Sequence, residues 1–225
     1  VAVHVPAVDR ALDDAEWRAF VAAQGFGHLV AAGMGRATPV VAPTQFVLDG
    51  DEVLCHVAAP HPILAALDER PTALLAVAGD WAFVPSSWKA IDGEDPRLGI
   101  PTTYYAAVQL TGRVEVVEDP DALAAVLRRQ LATLQPGVEV ADPAEDHRRR
   151  LGAIRGVVLH VDEVTARFKY GGNVDEAHRR AVLARLDERA GPGDAAAAAH
   201  VRRRLERERP SAFERGAARG STGRS

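Results

Sequence analysis

The chain has 225 residues, 47% of them apolar, with a net charge of −4 and a single cysteine, Cys55. Such a chain can form one large domain or two small ones around a substantial core, and it cannot form an internal disulfide or a multi-cysteine metal cluster. No apolar run reaches the ~20 residues of a membrane span. The N-terminal VAVHVPAVDR lacks the order of a signal peptide, and the lone thiol fits a reducing compartment, so a cytoplasmic location is expected.

Taken in order, Asp13 is placed to cap a helix, with Glu16 three residues on in a capping-box arrangement and Gly25 at its end. Phe26–Ala32, Pro39–Leu48 and Glu52–Ala58 read as three strands. Turn signals at 33–36 and at Asp49-Gly50-Asp51 join them, so a three-stranded meander is expected. Ile63–Asp68 is a short helix. Ala73–Val84 is a long apolar strand, with Gly79-Asp80 as its bend. Ile100–Glu118 then alternates with period two around Gly112, where a bulge or bend is expected, and forms the longest strand.

Asp119-Pro120 opens a helix whose apolar face is Leu123, Val126, Leu127, Leu131 and Leu134. Pro143–Leu151 reads as a charged helix, Gly156–Tyr170 as the last strand region and Val174–Ala190 as a helix. Gly191-Pro192-Gly193 is expected to end the compact domain, 1–190. Beyond it, 191–225 reads as an Ala/Arg-rich tail, partly helical or disordered. Six or seven antiparallel strands favour closure, because closure removes sheet edges. The expected fold is therefore α+β, a small antiparallel split β-barrel with peripheral helices.

The charge is uneven. Residues 191–225 carry eight arginines and four acids, which leaves −8 on the rest. An acidic body is a poor nucleic-acid binder, and no helix-turn-helix pattern is present, so direct DNA binding is disfavoured. Lysine is nearly absent, which reads as a coding bias. There is no glycine-rich phosphate loop, HExxH or G-x-S-x-G. Polar residues cluster instead at strand ends: His56 with His61, Ser86 to Lys89, Thr102 with Thr103, and Lys169 with Asn173. Hydroxyls and lysines suit a phosphate, and Trp88 or Tyr105 would suit a planar ring. Each also has an ordinary reading, as a turn, surface or rim residue.

Four segments carry a family resemblance. Gly79–Lys89, GDWAFVPSSWK, matches G-P-H-A-Y-I-S-P-S-W-Y at Gly79, Ala82, Ser87 and Trp88. IPTTYY matches V-P-T-W-N-Y at Pro101, Thr102 and Tyr105. FKYGGN matches F-K-L-S-Q-N at Phe168, Lys169 and Asn173. CHVAAPHP matches G-H-x-x-R-x-N-P at His56 and Pro62. In this order and spacing, over about residues 1–190, the chain resembles the PaiB family of FMN-binding negative transcriptional regulators. The resemblance implies an FMN-binding split barrel, a homodimer, and a cofactor site using Ser87, Trp88, Thr102, Tyr105, Lys169, Asn173 and His56.

The chain departs from the pattern at Ala59, His61, Thr103, Tyr104, Gly171 and Gly172. These changes remove an arginine and several polar groups from the expected FMN site. Piperazate synthases resemble the same family, bind haem b and form an N–N bond. On that reading the chain is a haem- or flavin-dependent enzyme and His56 is the axial iron ligand. A third reading is a dimeric binding module without a cofactor.

Overall fold

The computed structural model describes residues 4–91 and 93–207. It divides into two units. The first is built mainly from Asp13–Gly79 and Ala107–Arg167, the second from Pro6–Leu12, Asp80–Ala106 and the chain from Phe168 onward.

The first unit opens with helix α1 (Asp14–Gln24). The Asp13 side chain accepts from the Glu16 N–H at 2.9 Å, and Gly25 closes the helix at φ +57°, a left-handed conformation that glycine adopts without strain. Seven strands follow along the chain: β1 (Phe26–Ala31), β2 (Val40–Gln45), β3 (Val47–Asp49), β4 (Glu52–Ala58), β5 (Thr72–Val84), β6 (Thr102–Val117) and β7 (Ile154–Lys169). They form one sheet in the order β2-β1-β5-β6-β7-β4-β3. Helix α2 (Ile63–Glu69) precedes β5, and α3 (Pro120–Leu134) and the single turn α4 (Arg148–Leu151) lie between β6 and β7.

The expected meander is corrected here. The run Pro39–Leu48 is two strands, not one. β2 pairs antiparallel with β1, from Phe26 opposite Gln45 to Ala31 opposite Val40, whereas β3 pairs with β4, and β4 with β7. The break is Phe46, buried at 1% exposure, whose N–H donates to the Gly25 carbonyl at 3.0 Å. β2 and β3 stand at opposite ends of the strand order yet are separated by that one residue. A single residue cannot span an open seven-stranded sheet, where neighbouring strands lie about 4.8 Å apart. The sheet therefore rolls until its edges meet, which is the split-barrel arrangement.

Gly112 marks a close approach. A Cβ there would lie 1.8 Å from the His160 carbonyl oxygen, so only glycine fits this point of β6. On β4 and α3, Leu54, Leu123, Ala124 and Val126 pack with Val117, Leu151 and Val158 into one buried cluster. Cys55, 1% exposed, follows Leu54 on β4 and is buried on the opposite face of the strand. Burial pushes its thiol up to about 12, which makes it a packing residue and a poor nucleophile. The helix expected over Pro143–Leu151 is confined to α4, because turns occupy 143–146.

In the second unit, Asp80 has φ +49°, a left-handed conformation rare for a side-chain-bearing residue, at the expected bend of β5. Its carbonyl accepts from the Tyr170 hydroxyl at 2.9 Å, and its carboxylate meets His200 Nε2 at 2.9 Å. Helices α5 (Glu176–Arg189) and α6 (Asp194–Arg207) pack together. The alanine run, placed in the tail by sequence, lies on α6, with Ala197, Ala198, Val201 and Leu205 buried. His200 stacks on Tyr170 at 4.4 Å, and the Arg204 guanidinium lies 5.4 Å from the Tyr170 ring. The disorder expected for 211–225 lies outside the described residues.

Candidate functional site

Six of the seven candidate residues, all but His56, belong to the second unit. Ser86–Lys89 is one short 3-10 turn after β5. Lys169 ends β7, and its ammonium donates to the Thr102 hydroxyl at 2.8 Å at the start of β6. Lys89 joins them. Burial lowers the pKa of its amine first, and the charge of Lys169 lowers it further.

These two residues are the only lysines among 27 basic residues. Everywhere else the chain uses arginine, and many of the arginines take carboxylate partners, as in Arg97–Asp95, Arg189–Asp194 and Arg202–Asp187. Among the described residues neither lysine forms an ion pair. Two uncompensated ammonium groups beside a hydroxyl repel one another until an anion sits between them. Sequence reasoning chose Lys169 and Thr102 and placed Lys89 in a polar cluster with Ser86–Trp88, but left it out of the cofactor site, although the scarcity of lysine already singled it out.

The other candidates divide. Ser87 is exposed and Trp88 half-buried in the turn that carries Lys89. One face of the Trp88 indole is covered by the Arg189 guanidinium, 4.4 Å from the ring centre. Arg189 is held in turn by Asp194, its Nε donating to Oδ2 at 2.7 Å. A planar ligand would therefore have only the opposite face. Tyr105 follows Tyr104 on β6, and strand alternation turns it to the face opposite Thr102 and Tyr104. Asn173 is exposed in the Gly171–Val174 turn, and among the described residues no hydrogen bond links it to either lysine.

A side chain at 171 or 172 would meet its surroundings too closely. Gly171 has φ +80°, and a Cβ there would fall 2.4 Å from the Tyr104 hydroxyl; one at Gly172 would fall 2.3 Å from the Val8 carbonyl. Tyr104 is 1% exposed and meets Tyr170 edge-on at 5.9 Å. The tyrosine thus fills the space that a side chain at 171 would take. Its buried hydroxyl has no hydrogen-bond partner among the described residues. Burial raises its pKa to about 12 against the opposing charge of Arg179.

His56 belongs to the first unit, on β4. Its Nδ1 lies 3.1 Å from Gln130 Oε1 on α3, and the Gln130 amide donates to the Leu54 carbonyl at 3.0 Å. A cleft of about 650 Å³ opens here. His56, Gln130, Leu131, Leu151, Ile154 and Arg150 are among its lining residues. His61 is engaged elsewhere. Its Nδ1 accepts from the Ile63 N–H at 3.1 Å at the start of α2. Among the described residues no group of three or more His, Cys, Asp or Glu side chains is placed to hold a metal ion, and no helix is long and apolar enough to cross a membrane.

The family model described as "Putative FMN-binding domain" matches residues 3–163. That is more than half of the chain, and the chain belongs to this family. Among solved structures, the flavocytochrome Anf3 from Azotobacter vinelandii is 22% identical with a TM-score of 0.58, over 79% of this chain and 78% of that one. An FAD and haem binding protein from Mycobacterium smegmatis is 20% identical with a TM-score of 0.56, over 77% and 79%. At these identities the likeness carries the fold. No curated protein matches the chain.

Proposed function

We propose that the chain is a flavin-dependent redox enzyme on the split barrel, with the flavin phosphate held by Lys169, Lys89 and Thr102. The observation that carries this reading is the pairing of the chain's two lysines, with no carboxylate partner among the described residues, beside a hydroxyl. A bound flavin would supply the hydride or electron chemistry. The protein's share is to anchor the phosphate and present one open face of Trp88.

Names among the structural relatives, a flavocytochrome and an FAD and haem binding protein, favour redox work over regulation. The PaiB-type regulator and its homodimer rest on the sequence resemblance. The test is FMN titration of the full chain followed by flavin absorption and fluorescence. Submicromolar binding that weakens with salt and with Lys169→Ala supports the reading. Binding indifferent to both lysines removes it.

A second reading places haem in the first unit. It is favoured by His56, whose Nδ1 is engaged by Gln130 on the wall of a largely apolar cleft. A neutral imidazole with one nitrogen bonded and the other bare is the form that ligates iron, so these residues fit the group. Haemin titration of wild type and His56→Ala tests it through the Soret band.

A further inference from the structure

Gln130 is the polar residue that the apolar stripe of α3 does not explain. The stripe runs through Leu123, Val126, Leu127, Leu131 and Leu134, and Gln130 sits within it at 4% exposure. A buried primary amide costs stability unless its groups are bonded. Here one partner dictates the other. The Leu54 carbonyl can only accept, so it must face the Gln130 NH2. That turns Oε1, which can only accept, toward His56 Nδ1 at 3.1 Å. Nδ1 must then carry the proton, and in the neutral ring the lone pair is left on Nε2.

The cleft that His56 lines adds a second feature. Its wall is mainly apolar, with Leu127, Leu131, Leu151 and Ile154, but Arg150 also lines it and forms no ion pair among the described residues. Its neighbour Arg148 does, with Asp121 at 2.6 Å. An apolar cleft lined by two imidazoles, His56 and His147, and one unpaired guanidinium suits a flat, apolar molecule that carries both a metal centre and a carboxylate.

We infer that Gln130 is a positioning residue that holds His56 in the Nδ1-protonated form, and that Arg150 receives a carboxylate of a metal-centred, amphipathic ring bound in this cleft. The inference rests on the haem reading for the identity of the ring. The tautomer is a property of the chain alone.

Two measurements test it on the full chain. The first is long-range proton–nitrogen NMR of the ligand-free protein at about pH 8, where an ordinary imidazole is neutral. The His56 signals are identified by their loss in His56→Gln. Wild type is expected to show a protonated Nδ1 and a bare Nε2. Gln130→Leu should mix the tautomers, and Gln130→Glu, which keeps the acceptor, should restore the wild-type form. A protonated Nε2 in wild type, or a tautomer unmoved by Gln130→Leu, overturns the role of Gln130.

The second measurement is haemin titration with the Soret band as readout. His56→Ala should lose the nitrogen-ligated spectrum. Gln130→Leu should weaken binding about 10- to 100-fold, the range for loss of an outer-shell partner, and raise the reduction potential. Arg150→Ala should weaken binding about 10-fold with the spectrum unchanged, as for one lost charge-assisted contact. Wild type that takes no haemin, or takes it without His56, ends the haem reading and the ring assignment together. Loss in His56→Ala with Arg150→Ala unaltered ends the carboxylate assignment alone. The far-ultraviolet circular dichroism of each variant must match wild type, and Gln130→Met, which also lacks the amide acceptor, serves where Gln130→Leu does not fold.

Discussion

The two regions proposed to carry chemistry are built on opposite principles. In the first unit a hydrogen-bonded chain, Leu54–Gln130–His56, runs from a buried carbonyl and a buried amide to an exposed imidazole and fixes one ring nitrogen. In the second unit two like charges, Lys89 and Lys169, are brought within reach of each other and left uncompensated by carboxylate. The first arrangement is complete without a ligand and serves to orient. The second is unfavourable until an anion arrives and serves to attract. A motif search sees only the residues each region contributes, and it weights a histidine and a lysine alike. The partners separate them.

The largest effect expected on this contrast is structural. Gly112→Ala would drive a Cβ into the His160 backbone of the first unit, 1.8 Å from its carbonyl oxygen. It should cost about 3 kcal/mol or more, at the upper end of overpacking, read as a lowered urea midpoint. An unchanged midpoint would mean that β6 and β7 can part there.

Gly171→Ala is the counterpart in the second unit. Its Cβ meets the buried Tyr104 hydroxyl at φ +80°, for an expected loss of roughly 2–3 kcal/mol. Adding Tyr104→Phe should return part of that loss, because it removes the atom that is met. Two substitutions that add without recovery would break the steric link between these sites.

Binding effects come next. Lys169→Ala should weaken FMN about 10- to 100-fold, as for a charge-assisted contact of ~1.5–3 kcal/mol, with Lys89→Ala smaller. Titration of both variants sharpens the contrast, since neither should alter the NMR tautomer of His56.

The pH dependence follows from the sign of the Lys89 shift. The amine has a lower pKa in the folded chain than its ordinary 10.5. The charged form is therefore penalised in the fold at neutral pH, and that penalty is relieved as pH rises through the lowered value. On the proposed reading FMN binding needs the charge, so affinity should fall at a pH below the ordinary lysine range. Lys89→Arg should move the fall upward, and an unmoved pH profile would assign it to another group.

The smallest effect lies at His178, between Asp175 at 2.7 Å and Glu94 at 3.1 Å. Its pKa is raised by both carboxylates, and theirs are lowered by it. The pairing stabilises between those limits. It is lost as pH falls through the depressed carboxylate values and as it rises through the raised imidazole value. All three groups are solvated, so His178→Gln should shift the melting temperature only slightly, and only inside that window.

Much of the fold was legible. Asp13 and Asp119 cap helices as their spacing implied, and Asp49-Gly50-Asp51 turns the β3–β4 hairpin. The meander was not legible, because Phe46 reads as one more apolar residue in a strand, and only the global strand order shows that it sends β2 and β3 to different partners. At the site, Thr102 and Lys169 could be chosen from motif positions. Lys89 and Gln130 could not, since the motif has tyrosine at position 89 and no segment that reaches 130. Yet each leaves a trace in the sequence. One is half of the chain's lysine; the other is an amide in a leucine stripe. Tyr104 and Gly171 looked like independent losses of polarity and are one steric exchange.

The scarcity of lysine has a practical side. Acylating and reductive-alkylating reagents react with amines in their deprotonated form, and this chain has only two side-chain amines, those of Lys89 and Lys169. Both stand at the candidate phosphate site, and Lys89 gives up its proton more readily than an ordinary lysine. A reagent that is indiscriminate on most proteins would here act almost as a site-directed label, attaching a dye or a cross-linker where FMN is proposed to sit. Protection from such labelling by added FMN would map the site by mass spectrometry without any substitution.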